Sequence, residues 1–101
     1  MRYVKEIVVE ITREDAMKAG EFSDQRNCLL ATAILRQLNP DKEFRVGWCY
    51  VYFNVHGRSR EKVYEMDFNE AVRIDRCYTK YGKRIRAGFK PFKVTLCRRA
   101  W

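Results

Sequence analysis

The chain has 101 residues, 47% of them apolar and 34% charged, with a formal net charge of +8. That length holds one domain with a modest core, and that composition excludes a disordered chain. The longest apolar run is Trp48 to Phe53, too short to span a membrane. The N-terminus reads as having no secretory leader, because Lys5, Glu6 and Glu10 interrupt any apolar block. The expected location is therefore a cytosol, and more narrowly a bacterial host cytoplasm.

In chain order, residues 3–12 read as a strand. Ile7, Val9 and Ile11 fall on one face, and Glu6, Val8, Glu10 and Thr12 on the other. Thr12 caps a short helix whose first turn holds Glu14 and Asp15, where acids complement the helix dipole. Gly20 is expected to end it in the left-handed conformation. Ser23 is read as the cap of a second helix over 24–39. Its stripe combines the row Leu30, Ile34, Leu38 with the row Cys28, Ala31, Leu35, leaving Arg26, Arg36 and Gln37 outside. Pro40 ends it.

Residues 44–55 read as the longest strand. One face carries Val46, Trp48, Tyr50 and Tyr52, and the other Cys49, Val51, Phe53 and Val55. Apolar residues on both faces suit a central strand, or one with an aromatic platform on its open side. Residues 56–59 are turn chemistry, and 60–66 return as a hairpin partner. Asp67 to Glu70 is a capping pattern for a helix reaching about Lys80, with Phe68, Ala71, Val72, Ile74 and Tyr78 on its inner face. Gly82 ends it. A basic loop, 83–90, leads to a last strand in which Phe92, Val94 and Leu96 point inward.

The expected fold is α+β, in the order β-α-α-β-β-α-β: one domain over 1–101, with a four-stranded, mostly antiparallel sheet. Both helices pack on one face, as in the ferredoxin-like, split βαβ arrangement.

Charge is distributed unevenly. Arg76 to Trp101 contains nine Lys and Arg and no acid, while the first 75 residues are close to neutral. A block of this kind faces something anionic. The candidate contacts for nucleic acid or a nucleoprotein partner are Lys80, Lys83, Arg84, Arg86, Lys90, Arg98, Arg99 and Trp101. Tyr78, Tyr81, Phe89 and Phe92 lie among them, and exposed rings stack on unpaired bases. The glycine-aromatic signature of RNA-binding split βαβ modules is absent.

Nothing in the sequence calls for a cofactor. Cys28, Cys49, Cys77 and Cys97 form no close pair, and His56 is the sole histidine, so no metal site is expected. The thiols are expected to be free and mostly buried. The sequence holds no catalytic motif and no phosphate-binding glycine loop. The enzymatic alternative is a small basic ribonuclease of the toxin type, with His56 as acid or base beside Arg58. The paired acids (Glu14 with Asp15, Asp67 with Glu70) are better explained as helix starts.

Two stretches carry a resemblance. ITREDAMKAG followed by SDQRNCLLATAILRQL, and AVRIDRCYTKYGK with KPFKVTL, resemble small uncharacterised open reading frames of phages and prophages. The likeness covers about half of the chain. It implies a non-enzymatic accessory protein of a mobile element. Host-defence inhibitors, anti-CRISPR proteins among them, are the class such proteins often belong to. No catalytic residue comes with it.

Overall fold

Alternation of apolar and polar side chains makes β1, Glu6–Ile11: Ile7, Val9 and Ile11 are buried, and the residues between them are exposed. The computed structural model describes residues 4–40, 43–54 and 61–99, the side chains of Glu61 and Lys80 excepted. Eight elements of regular structure follow from similar local patterns. They are β1, α1 (Arg13–Lys18), α2 (Leu29–Leu38), β2 (Phe44–Val46), β3 (Tyr50–Asn54), β4 (Glu61–Glu65), α3 (Phe68–Arg76) and β5 (Phe92–Arg98). A single 3-10 turn, Lys80–Gly82, lies between the last two.

The protein is α+β, as expected, but its curled antiparallel sheet has five strands in the order β1-β5-β4-β3-β2. The expected count of four fails in the 44–55 run. Gly47 N–H donates to the Tyr50 carbonyl (2.8 Å), and Cys49 takes a φ of 66°, so the chain reverses at Trp48-Cys49. This turn puts Val46 opposite Val51, on the same face as Phe53. The split βαβ arrangement fails as well. There the first strand lies inside the sheet, whereas here β1 is an edge and pairs only with β5.

The helices also start and stop differently. Residues 24–28 form turns in which Asp24 accepts from the N–H groups of Arg26 and Asn27 (3.1 and 3.2 Å), so α2 begins only at Leu29. Its buried face includes Leu29 and Ala33, while Leu35 is exposed. Gly20 is not left-handed; its N–H donates to the Asn27 carbonyl at 2.6 Å. Asn39 takes the left-handed position at the end of α2, with a φ of 44°. Asp67 caps α3 through Asn69 N–H, but α3 ends at Arg76 and Phe68 points out to solvent. Of the four thiols, all free, only Cys28 is buried; Cys49 and Cys77 are half-buried and Cys97 is exposed.

One core cluster takes the inward side chains of all five strands together with those of α2 and α3. Side chains cover strand backbone that the sheet itself leaves unpaired. On the outer edge of β1, Gln37 acts as a surrogate strand: its Nε2 donates to the Val8 carbonyl (3.1 Å) and its Oε1 accepts from Glu10 N–H (2.8 Å). Arg36 adds a bond to the Glu10 carbonyl (2.9 Å). On the far edge of β5, β4 pairs only with Cys97 and Arg98, and Glu70 of α3 accepts from Thr95 N–H (2.8 Å). Unsatisfied edge groups invite pairing with another chain, and these bonds occupy them.

Arg36 is itself held by Asp15, a carboxylate whose side chain is only 1% exposed. Asp15 takes Arg36 Nε at 2.7 Å and Nη2 at 3.0 Å, and accepts from Thr12 N–H at 2.9 Å in a reciprocal capping box. Burial alone would raise the Asp15 pKa, but the bonds from Arg36 and Thr12 outweigh it and hold the carboxyl below its usual 3.8. The stability this carboxylate supplies is therefore complete above its unfolded-state pKa and is lost as pH falls through the lower folded value. Asp15→Asn should cost roughly 2–3 kcal/mol at pH 7, the low end for a buried pair because the Arg36 side chain is 37% exposed. Urea denaturation at pH 7 and at pH 3 should show the gap between wild type and variant shrinking at the acid pH.

Candidate nucleic-acid interface

Part of the basic region is a hairpin-like loop that follows α3. Cys77 closes the helix, and its carbonyl accepts from Arg86 N–H (2.7 Å). Tyr78 then bridges to Ile85, and Thr79 N–H donates to the Arg84 carbonyl (2.8 Å). Between these bonds sit the 3-10 turn and Lys83. The reversal needs two left-handed residues in a row, Tyr81 (φ 76°) and Gly82 (φ 66°). Gly82 fits without strain, and its carbonyl accepts Phe22 N–H (2.7 Å). Tyr81 carries a Cβ into the same region, which is a strained position for a non-glycine residue. Its side chain is 82% exposed.

The foot of the loop is anchored by Tyr78. Its hydroxyl accepts from Leu29 N–H (2.8 Å) and donates to the Gly20 carbonyl (3.1 Å). Burial pushes this phenol well above its ordinary pKa, so it keeps the proton it donates. Its backbone carbonyl takes Arg86 Nε at 2.5 Å, and its ring meets Phe22 edge to face, 5.4 Å between centroids.

The expected contact residues fall into two groups. Lys83, Arg84, Arg86 and Lys90 are exposed on the loop and the segment leading to β5. Within this group Arg86 has a second task, bracing the Tyr78 carbonyl. Lys80 belongs to the 3-10 turn. Arg98 and Arg99 lie at the opposite end of β5, about 20 Å from Phe92 at the usual rise per strand residue. Arg98 sits opposite Tyr64, and Arg99 is ion-paired with Glu65. Trp101 lies outside the described residues, as do His56 and Arg58. The structure thus brings the loop cations together and separates them from the terminal pair.

Three further residues complete the loop site. Tyr81 supplies the ring. Arg76 lines a cleft of about 440 Å³ with Tyr81, Arg86 and Asp75, on one side of the loop. On the other side, Arg13 lines one of about 360 Å³ with Met17, Arg86 and Phe89. Arg13 reads in sequence only as a helix-start residue, and nothing local links it to residue 86. The adjacent Tyr81-Gly82 pair is the signal that a turn, rather than more helix, occupies this stretch.

The second group continues across the open face of the sheet. Arg45 lies over the Tyr52 ring (4.5 Å), Tyr52 neighbours Tyr50 (6.3 Å between centroids), and Arg99 lies over Tyr50 (5.9 Å). Stacked guanidinium and phenol groups of this kind stabilise one another, so they are already engaged in intramolecular contacts.

Among the described residues, no three His, Cys, Asp or Glu side chains are grouped to hold a metal ion. No helix among them is long and apolar enough to cross a membrane. No family model, curated protein or solved structure matches this chain.

The two glycines of the loop separate conformational from steric cost. Both have positive φ, but a Cβ on Gly82 would lie 2.8 Å from Phe22 Cβ, whereas one on Gly88 meets nothing within 4 Å. Gly88→Ala should cost about 1 kcal/mol. Gly82→Ala should cost at least about 2 kcal/mol and move the Phe22 and Tyr81 amide resonances. Thermal denaturation and a two-dimensional amide spectrum check both.

Proposed function

We propose that the protein is a non-enzymatic binder of single-stranded nucleic acid, and that the loop at residues 79–90 is its contact surface. The observation that carries this reading is an 82% exposed ring, Tyr81, fixed by a hydrogen-bonded turn beside the exposed Lys83 and Arg84. Cations neutralise phosphates along a strand, and a fixed ring stacks on a base whose faces are not already paired. A turn that orders the backbone carrying the ring before binding reduces the entropy lost on association. Arg13 and Arg76, in the clefts on either side, extend the positive surface along a backbone path. The net charge of +8 suits this role and opposes mimicry of a nucleic acid.

Binding without catalysis fits three of the four thiols. Burial raises the pKa of Cys28, Cys49 and Cys77, so none is a ready thiolate nucleophile at neutral pH. Within this reading, the resemblance to phage open reading frames points to a partner class in a bacterial cytoplasm. That class is a ribonucleoprotein of host defence, whose exposed guide or target strand the loop would grip in the manner of an anti-CRISPR protein.

Fluorescence anisotropy with labelled oligo-dT and oligo-U, titrated over roughly 50 to 200 mM salt, the range in which phosphate binding weakens, tests the contact. Affinity should fall with a log–log slope of about −0.7 per phosphate contact. Lys83→Glu with Arg84→Glu should weaken binding at least about tenfold and flatten the slope by roughly 1.4, two contacts' worth. Tyr81→Ala should weaken binding about tenfold, as loss of one stacked base requires, and leave the slope unchanged. A salt-independent affinity, or a Tyr81→Ala variant that binds like wild type, would contradict the proposal.

A further inference from the structure

A third cavity, which shares Phe22 and Ser23 with one of the two loop clefts, lies between the start of α2, the β2–β3 turn and α3. Its volume is about 180 Å³. An apolar cavity of about 150 Å³ stays dry and takes benzene, so this one has room for a benzene- to indole-sized ring. Leu30, Val46, Ala71 and Ile74 supply aliphatic walls, and Ser23 and Gln25 are the polar part of the lining. Three sulfur-bearing side chains, Cys28, Cys49 and Met66, reach the same space. Sulfur favours aromatic over aliphatic neighbours, notably at ring edges.

The rim is aromatic too. Trp48 stands edge-on to Phe22 (5.9 Å between centroids) and to Phe68 (6.2 Å). Trp48 is 45% exposed and Phe68 63% exposed, an unusual amount of apolar ring to leave in water. The turn that presents Trp48 runs through Cys49 at a φ of 66°, a conformation that costs a non-glycine residue energy and is met at binding sites. The Met66 N–H bond to the Cys49 carbonyl (2.8 Å) fixes that turn against the start of α3.

We infer that this cavity is a binding site for a small, uncharged aromatic molecule of one or two fused rings. The ring would enter past Trp48 and meet the three sulfurs. The cavity's apolar walls disfavour charged ligands, and its volume excludes drug-sized ones. This inference stands independently of nucleic-acid binding, since none of the loop cations lines the cavity.

The test uses indole as the probe and cyclohexane as an aliphatic comparator, followed by the methyl resonances of Leu30, Val46, Met66 and Ile74. Indole should give saturable shifts confined to these methyls and an affinity at least about tenfold above that for cyclohexane. Ala71→Leu fills the cavity and should abolish the shifts. If that variant does not fold, Trp48→Ala, at an exposed rim position, decides; it should weaken indole binding about fivefold or more. No saturable indole shift, equal binding of cyclohexane, or unchanged affinity in the deciding variant would each overturn the inference.

Discussion

The structure depends on one buried phenol. Cys28 sits at the N-cap of α2 but makes no side-chain capping bond. The orphan N–H of Leu29 is taken instead by Tyr78, from 49 residues away in the chain. The same hydroxyl closes the Gly20 carbonyl, and the same residue's backbone carries the bridge to Ile85 and the bond from Arg86. One residue therefore caps the start of a helix, pins the 20–28 connection and anchors the loop on which Tyr81 is displayed. Losing a bond to a buried donor costs its full desolvation, so these three features rise and fall together.

A second constraint is the closing of a curled sheet that is not a barrel. Five antiparallel strands leave edges, and the chain covers parts of them with the side chains of Gln37, Arg36 and Glu70 rather than with further strands. This places α2 and α3 along the sheet's borders with their inner faces still in the core. It also explains the buried Asp15, which fixes Arg36 in the direction the β1 edge requires. The proposed contact surface is thus carried on a frame whose polar groups at these points are matched one to one.

The periodic parts of this fold were legible in the sequence. The faces of β1 and β5, the Thr12 cap and the Asp67 cap all follow from spacing alone. Where the reading differed, a competing local bond or a surface contact had replaced the expected one. The Asp24 turns delay α2, because a short side chain satisfies the backbone that a helix would use. Gly47, just ahead of the longest apolar run, marked the turn that makes the fifth strand. Phe68 obeys helical spacing but faces Trp48 at the surface, not the core. The basic block was visible as a count, but its division was not. A strand of seven residues separates Lys90 from Arg99, and only pairing with β1 and β4 shows which way that strand runs. Tyr81 was one ring among several in the sequence; its exposure and its left-handed φ set it apart.

The two proposed sites meet at Phe22, whose N–H holds Gly82 and whose ring packs on Tyr78 and Trp48. The account's central claim is that the loop at 79–90, and not the open sheet face, meets the ligand. The most direct test is amide shift mapping of the intact protein with a short single-stranded oligonucleotide. The account predicts saturable shifts centred on Tyr81, Lys83 and Arg84, with little change at Arg45, Tyr50 and Tyr52. Shifts centred on those three sheet residues, or none at saturating oligonucleotide, would contradict it.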